Sequence, residues 1–473
     1  MSRRYPHPAR AAAALAAVLV LAGCASVDTE QAFSPVNRAV KQQLGQDLRW
    51  VRSAEAQEAV DALVAGLLAK PLAMDDAVQL ALLNNRGLQA DLHGLGIAQA
   101  EWAQAGRLPN PGISFGRLRR GDEVELETGL HLNLARLLML PRLQEMEGRR
   151  LGQTQGMVTL RVLGLAADTR KAWINAVAAE EGVRYQRQVA QAAQAGAELA
   201  RRMAQVGNFS KLQLAREQSF QADAALGLAQ TQRLADATRE RLVRQLGLWG
   251  SQTAFTLPER LPDLPAAPED QPQIESQALA QRLDVQAARL TAKNTAADLG
   301  LTRSTRFINV LELGAVRSRS NEAPTQRGWE VGLELPLFDW GDARVVRAEN
   351  RYLQAVQRTA EVAINARSEV REAYGNYRAA WDIARHQRDQ IVPLRRRIAE
   401  ENGLRYNGML IGVFELLADA RMQIAGVNGA IAALADFWRA QADLDMALIG
   451  PPELGMASAP AEANGANAAG GGH

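Results

Sequence analysis

Residue types that commonly take part in catalysis are few in this chain and are not grouped for it. The single cysteine, Cys24, excludes an intrachain disulfide and a cysteine-ligated zinc site. Four histidines show no metal-ligand spacing: His7, His93, His386 and His473. The sequence contains no phosphate-binding loop and no recognisable nucleophile–base pair. It therefore predicts a protein that is not an enzyme and that holds no cofactor and no resident metal.

Acidic and polar residues share a regular spacing in two stretches, residues 124–134 and residues 329–337. In both, apolar residues alternate with polar ones, which is the period of a strand with one apolar and one wet face. The wet faces hold Glu125, Glu127, His131, Asn133, Glu330 and Glu334. Such a face can line an aqueous path. Metal handling by His131 with these acids is the weaker alternative, because single histidines are more often structural or solvated.

Both alternating stretches lead into long helical patterns, and each is preceded by another candidate strand. The four predicted strands cover about residues 113–118, 124–134, 307–315 and 329–337. No proline occurs between Pro141 and Pro258, and apolar residues recur there at helical spacing. One helix over residues 142–206 would be about 97 Å long at 1.5 Å per residue, so it must lie in a bundle or a tube.

The chain consists of two matched halves, because the order helix, two strands and long hairpin occurs twice. Gly129 and Gly207 are 78 residues apart, and Gly332 and Gly408 are 76 apart, which indicates an internal duplication. The predicted domains are a signal peptide (1–23), a lead segment (24–70), repeat 1 (71–250, hairpin about 142–246), a proline-rich linker (251–273), repeat 2 (274–450, hairpin about 342–448) and a disordered tail (451–473). Pro393 is expected to kink the long helix of repeat 2.

The first residues have the features of an export signal. Three arginines precede an apolar run over residues 11–21, which is too short to cross a bilayer comfortably. Leu21-Ala22-Gly23-Cys24 then resembles the lipobox of bacterial lipoproteins, in which cleavage leaves the cysteine as the lipidated first residue. The resemblance predicts lipidation of Cys24, and Ala25 in place of an aspartate suggests delivery to the outer membrane. A buried or free thiol near an ordinary cleavage site is the alternative.

The strand count limits how this chain can meet a membrane. No stretch after the leader is long and apolar enough for a membrane-spanning helix, so insertion would have to use strands. Four strands cannot close a barrel, and open edges are not tolerated in lipid, but three chains would pool 12 strands. Soluble, half-buried hairpins are the alternative. The net charge of +2 argues against a nucleic-acid binder.

At this point the chain resembles the TolC-like outer-membrane efflux protein family, in its branch of outer-membrane factor lipoproteins. The likeness covers about residues 70–450. It rests on the duplicated order, the hairpin tips, the stretch from Leu72 to Asn85, Leu108-Pro109-Asn110-Pro111, and the stretch from Leu335 to Gly341. It implies an α+β membrane protein with a duplicated helix–strand–strand–long helical hairpin unit, whose trimer forms a 12-stranded β-barrel continued by a 12-helix α-barrel.

The resemblance also implies a function and partners. The expected function is the outer-membrane exit duct of a tripartite efflux or export system, passive and lipid-anchored, with a periplasmic helical domain. Expected partners are two further copies of the chain, a periplasmic adaptor (membrane fusion) protein, an inner-membrane pump and outer-membrane lipid. The cargo stays open between heavy-metal ions such as copper and drugs. The alternative function is a non-channel periplasmic coiled-coil lipoprotein scaffold.

In this family packed hairpin tips close the periplasmic end of the tunnel, held by a tyrosine, an arginine and acidic rings. Arg405 and Tyr406 match the family pattern Arg-Tyr-x-x-Gly, but the glycine comes one residue early, at Gly408. The gate residues implied here are Arg405, Tyr406, Glu415 and Asp419. Ala418 stands where a second acid often sits, so a second acidic ring stays open. Alternatively, Glu415 faces solvent near a helix N-terminus.

Residues of both tips are expected to meet the adaptor. They are Gly207, Asn208, Ser210, Leu214, Gly408, Gly412 and Leu417. The alternative is ordinary turn chemistry, which accounts for the glycines at least in part.

Overall fold

The computed structural model of this chain describes residues 28–305, 311–333 and 337–452, and of residues 413–420 it describes the backbone alone. The described residues fall into two compact units. Unit 1 comprises residues 28–36, 92–155, 294–305, 311–333 and 337–352. Unit 2 comprises residues 37–91, 156–293 and 353–452. Cys24, Glu334 and the glycine-rich tail lie outside the described residues.

The order of elements repeats, as the duplication predicts. Repeat 1 and its lead segment contain α1 (Glu30–Leu44), α2 (Ala54–Leu68), α3 (Met74–Asn84), α4 (Arg86–Ala105), β1 (Gly112–Arg120), β2 (Glu123–Asn133), α5 (Leu134–Gln205) and α6 (Lys211–Leu246). Repeat 2 contains α7 (Ile274–Gln281), α8 (Leu283–Thr305), β3 (Leu311–Ser320), β4 (Gln326–Leu333), α9 (Asp342–His386), α10 (Val392–Asn407) and α11 (Val413–Ala447). Within the described ranges, no helix combines the length and apolar character needed to cross a membrane.

Two prolines affect the long helices differently from the sequence-based expectation. Helix α5 begins at Leu134, directly after the strand, and contains Pro141 rather than starting after it. At the other site, a π-helical turn over Gln387–Ile391 directly precedes Pro393. A proline has no N–H to donate, and a π turn is one way in which a helix accommodates a local break in its hydrogen bonds. The expected irregularity near Pro393 is therefore a π turn.

The four strands of unit 1 form one antiparallel sheet in the order β1-β2-β3-β4. The prediction of about 307–315 for the third strand ends too early, because the strand continues to Ser320. It is described from Leu311, and residues 306–310 lie outside the described residues. Pairing with β2 is the cause. Glu312 lies opposite Asn133 and Ser320 opposite Glu125, so polar residues beyond the predicted end of the strand belong to the ladder.

The same effect shifts the fourth strand, predicted at about 329–337. It begins earlier, at Gln326, because this residue pairs with Ser318 of β3. It ends at Leu333, and residues 334–336 lie outside the described residues. Leu337, which the alternation assigned to the strand, lies beyond it in a bend.

Unit 2 has its core where the short helices pack on the long ones. One cluster joins α2, α3, α5 and α6, and a second joins α7, α9 and α11. The proline-rich segment is part of this core, because Leu257, Leu261 and Leu264 are buried. Its carbonyls accept hydrogen bonds from the indoles of Trp381 and Trp438, each at 3.0 Å. The segment predicted as a linker therefore packs against the helices of unit 2 through buried leucines and indole hydrogen bonds.

In both repeats, side chains that follow or end a short helix donate hydrogen bonds to carbonyls at the end of the last helix. In repeat 1 the carboxamides of Asn84 and Asn85 donate to the carbonyls of residues 245–247 at 2.8 to 3.2 Å. In repeat 2 Arg282, which follows α7 as Asn85 follows α3, donates to the carbonyl of Ala447 at 3.3 Å. The two repeats therefore use different side chains for the same joint.

Candidate functional site

The sheet of unit 1 has two exposed faces of opposite character. Strand pairing places one set of apolar residues on the same face. We call it the apolar face; it holds Ile113, Phe115, Leu126, Leu130, Leu132, Leu311, Leu313, Ala315, Trp329, Val331 and Leu333. Phe115 and Trp329 are 81% and 77% exposed, which is unusual for aromatic side chains in a folded domain. Among the described residues, nothing covers these two aromatic side chains of the apolar face.

The opposite face, here called the polar face, holds five of the six residues predicted from the alternation: Glu125, Glu127, His131, Asn133 and Glu330. Glu125 accepts a hydrogen bond from the hydroxyl of Ser318, and Glu123 accepts one from Ser320 at 2.8 Å. The side chain of Asn133 is engaged differently. Its Oδ1 accepts the Arg136 amide at 2.8 Å, so it caps the start of α5.

A hydrogen-bonded chain of three side chains crosses the polar face. His131 lies between Ser114 of β1 and Glu330 of β4, with Nε2 at 2.7 Å from the serine Oγ and Nδ1 at 2.9 Å from the glutamate Oε1. Room for this chain comes from Gly129 and Gly314. A Cβ at Gly314 would lie 2.8 Å from the Glu330 Oε1 and 2.9 Å from the His131 Nδ1. We call this arrangement the Ser–His–Glu chain.

Sequence reasoning found the histidine and the glutamate but missed Ser114. The two glycines on the polar face were the available signal, because an internal strand glycine marks close approach of other atoms. Hydroxyl, imidazole and carboxylate stand in the order of a hydrolase triad. However, the Ser–His–Glu chain lies on an exposed sheet face, whereas catalytic preorganisation requires a site from which water is excluded. We therefore assign it to linking strands across the sheet. Among the described residues no group of three metal-ligating side chains is placed to hold an ion.

The two hairpin tips have the same backbone geometry although their sequences differ. At the first tip, Gly207 has a φ of 80° and the next amide donates to the Met203 carbonyl at 2.9 Å. At the second tip, Met409 has a φ of 57° and the next amide donates to the Arg405 carbonyl at 2.9 Å. Both are Schellman endings. Met409, not Gly408, therefore occupies the position that corresponds to Gly207.

The helices after the two tips begin at equivalent positions, three residues later. Ser210 caps α6, because its hydroxyl accepts the Gln213 amide at 3.2 Å and the Gln213 side chain accepts the Ser210 amide at 2.7 Å. Gly412 stands at the corresponding position before α11 and provides no side-chain cap. Asn208 is exposed in the first tip, and Leu214 is half-buried in the first turn of α6.

The predicted gate residues lie at the end of α10 and the start of α11. Arg405 and Tyr406 are both exposed in the single chain. In the part of the chain that the structure describes, their side chains have no hydrogen-bond partner, so they are available to groups outside it. Glu415, Leu417 and Asp419 lie in the first turns of α11, where the backbone alone is described.

Comparison with known proteins identifies the second repeat. Residues 274–435, from α7 into α11, match the family model described as outer membrane efflux protein. Within the second repeat, residues 274–435 are therefore similar to the outer membrane efflux protein family. The resemblance to this family predicted from the sequence is confirmed over these residues, and its lipoprotein branch stays a prediction. This family consists of efflux channels rather than enzymes. No curated protein sequence matches the chain.

Solved structures of outer membrane channels share the fold of this chain. A membrane protein from Pseudomonas aeruginosa superposes with a TM-score of 0.69 at 19% identity, covering 79% of this chain and 93% of that one. The CmeC outer membrane channel of Campylobacter jejuni gives 0.69 at 16% identity, covering 85% and 89%. CusC, described for its transmembrane channel formation, gives 0.65 at 17% identity, covering 80% and 92%. At such identities the likeness shows the fold of an outer membrane channel.

Proposed function

We propose that this chain is the outer-membrane exit duct of a tripartite export system. The observation that carries the proposal is the isolated sheet of unit 1, with one apolar and one polar exposed face and with β1 and β4 as open edges. Unpaired backbone groups cost several kcal/mol each in lipid. Three chains joined edge to edge would pair every strand in a 12-stranded barrel, within the size range of outer-membrane barrels.

The faces assign the two sides of such a barrel. The apolar face, with Trp329, Val331 and Leu333, meets lipid. The polar face, with Glu125, Glu127, His131 and Glu330, lines an aqueous lumen, and Glu334 follows in the same alternation. Carboxylates on this side favour cations in the path and tune permeation rather than folding.

The remaining partners follow from the tips and from the leader. The hairpin tips, with their shared Schellman geometry, meet a periplasmic adaptor, and an inner-membrane pump supplies the free energy. Arg405, Tyr406 and Glu415 close the tunnel end, with Asp419 as the candidate for a second acidic ring. Lipidation of Cys24 anchors the chain, since acyl chains contribute about 0.8 kcal/mol per buried methylene. The cargo is a heavy-metal ion such as copper or a drug.

Cysteine accessibility in β4 tests the proposal. Single cysteines replace Trp329, Glu330, Val331, Gly332 and Leu333 in turn, in the full-length chain in outer-membrane vesicles. A water-soluble maleimide should label the cysteines at 330 and 332, and those at 329, 331 and 333 should be protected. The purified protein should also migrate as a trimer. Uniform labelling of a monomer would instead support the periplasmic scaffold.

A further inference from the structure

Five arginines lie together on the apolar face, at the end of the sheet where the two strand-connecting turns lie. They are Arg117, Arg119, Arg317, Arg319 and Arg327. We call them the arginine cluster. They share the parity of Phe115 and Trp329 and not that of the acidic residues, so they are on the face that the proposed function assigns to lipid.

Strand register brings these arginines close to one another. Arg317 lies directly opposite Arg327, and Arg117 and Arg319 flank Leu126 from its two sides. Directly opposed residues have Cβ atoms about 4.5–5.5 Å apart, and like charges at that distance destabilise a sheet. The arrangement is therefore unfavourable for the chain alone and favours an anionic partner.

No carboxylate of the described residues forms an ion pair with any member of the cluster. Arg119 donates from Nε to the Gly121 carbonyl at 3.0 Å, within its own turn. The Nε of Arg317 is enclosed and has no hydrogen-bond partner among the described residues. The strand acids of this end, Glu123, Glu125 and Glu127, are on the polar face, and Asp122 and Glu322 lie in the two connecting turns. Within the strands, the arginine cluster and these three carboxylates are therefore on opposite faces.

The apolar residues of the same face continue from the cluster toward the helices. Arg317 and Leu313 are on one strand and one face, four residues apart, which is about 13 Å at 3.3 Å per residue. A ligand that fits both has an anionic head and an apolar tail. Guanidinium groups bind phosphate oxygens in a bidentate manner and are weakly hydrated, which suits a membrane surface.

We propose that the arginine cluster binds the phosphate groups of membrane lipid at the loop end of the sheet. This inference rests on the proposed function, because it needs the apolar face to lie in lipid. A nucleic acid or an acidic peptide would satisfy the charges but not the adjoining apolar surface. The cluster would hold a ring of lipid around the assembled protein and fix the depth of the sheet in the bilayer.

The test uses full-length protein purified in a neutral detergent and titrated with lipid A or with lipid A from which both phosphates have been removed. Bound lipid is counted by native mass spectrometry. The double variant Arg317→Gln with Arg327→Gln removes two of the five charges. Arg120→Gln is the matched control, because Arg120 lies at the same end of the sheet but on the polar face, opposite Glu123.

Wild type and the Arg120→Gln control should bind phosphorylated lipid A more tightly than the dephosphorylated form. The double variant should bind phosphorylated lipid A about 25-fold more weakly, at about fivefold for each arginine near a charged surface. Equal binding of the two lipids by wild type would overturn the inference without any variant. Complete competition by inorganic phosphate at the lipid concentration would also overturn it, in favour of a free-anion site.

Failure of the proposed function is separately visible. A wild-type protein that forms no trimer and shows no bilayer conductance contradicts the duct itself. A conducting trimer that does not distinguish the two lipids contradicts the arginine cluster alone.

Discussion

The buried guanidinium of Arg282 allows the effect of a substitution on stability to be predicted quantitatively. Only 1% of this side chain is exposed, and it donates to both carboxylate oxygens of Asp284 at 3.0 and 2.7 Å. A second carboxylate, Glu369 of α9, lies 2.7 Å from Nη2, and the Ala447 carbonyl accepts from Nη1. Burial acts to lower the pKa of Arg282, but the two carboxylates outweigh it and raise the pKa, so the group stays charged.

Arg282→Met should destabilise this joint of unit 2 by about 3 kcal/mol. Breaking a buried ion pair by removing one partner costs about 3–5 kcal/mol, because the other charge is left without a partner. The lower end applies here, since the side chains of Asp284 and Glu369 are 20% and 31% exposed and can partly rehydrate. Methionine also fills much of the space, so the cost is electrostatic rather than that of a cavity.

Hydrogen exchange at the Leu283 amide reports the local stability around Arg282 directly, because that amide donates to the Ile449 carbonyl at 2.8 Å. A loss of about 3 kcal/mol corresponds to roughly 100-fold faster exchange when exchange proceeds through reversible opening. Arg371→Met is the matched control in the same unit. Its Nε lies 3.6 Å from Glu275, and the two side chains are 63% and 40% exposed, so the change should be under about 1 kcal/mol.

A neutral triple variant tests whether the lost stability comes from carboxylates left without a partner. Arg282→Met combined with Asp284→Asn and Glu369→Gln should recover most of the protection, because no charge is then left buried without a partner. Two results would refute the claim that Arg282 stabilises the end of the last helix of repeat 2. One is an exchange rate of the Leu283 amide in Arg282→Met that equals the wild-type rate, and the other is a change no larger than that in Arg371→Met.

Three further predictions follow from the sheet, the tips and a half-buried acid. Leu333→Asp should lower the yield of inserted trimer, because it places a charge in lipid, whereas Glu330→Gln should leave assembly intact and change single-channel conductance. Equal behaviour of the two variants in both assays would contradict the assignment of the two faces. Met409→Gly should slow hydrogen exchange at the second tip by relieving about 1 kcal/mol of left-handed backbone strain, and Gly207→Ala should speed it at the first; unchanged rates at both tips would argue against strain there. Burial raises the pKa of Asp298 above 3.8 despite nearby arginines, so the folded chain loses stability as pH rises through the raised pKa. Asp298→Asn should therefore raise the thermal midpoint at neutral pH and flatten its decline between acidic and neutral pH; a lower midpoint would contradict this.

How far the sequence predicts the sheet depends on the strand. Alternation in β2 predicts its two faces, because Val124, Leu126, Leu130 and Leu132 recur at alternate positions, with Thr128 between them. The third strand carries Arg317, Ser318 and Arg319, which resemble a loop when taken alone. Pairing with β2 keeps these residues in the ladder, and a pairing between distant segments is not visible in local composition. The arginine cluster was missed for the same reason.

The tips show a different limit. Glycine is the residue expected at a left-handed helix ending, so the sequence indicates Gly408 as the equivalent of Gly207. The structure gives that conformation to Met409, and three residues separate it from the next N-cap at both tips. Matching loop lengths, rather than the glycines, defines the equivalence. A non-glycine residue held in this conformation marks a position that its surroundings over-determine.

The central claim is that three copies of this chain close one water-filled path through a membrane. The most direct measurement is conductance of the purified full-length protein in a planar lipid bilayer. A trimeric fraction should give uniform, long-lived conductance steps, with a preference for cations that falls when Glu330 is replaced by glutamine. A protein that reaches the bilayer as a trimer and yields no steps would contradict it.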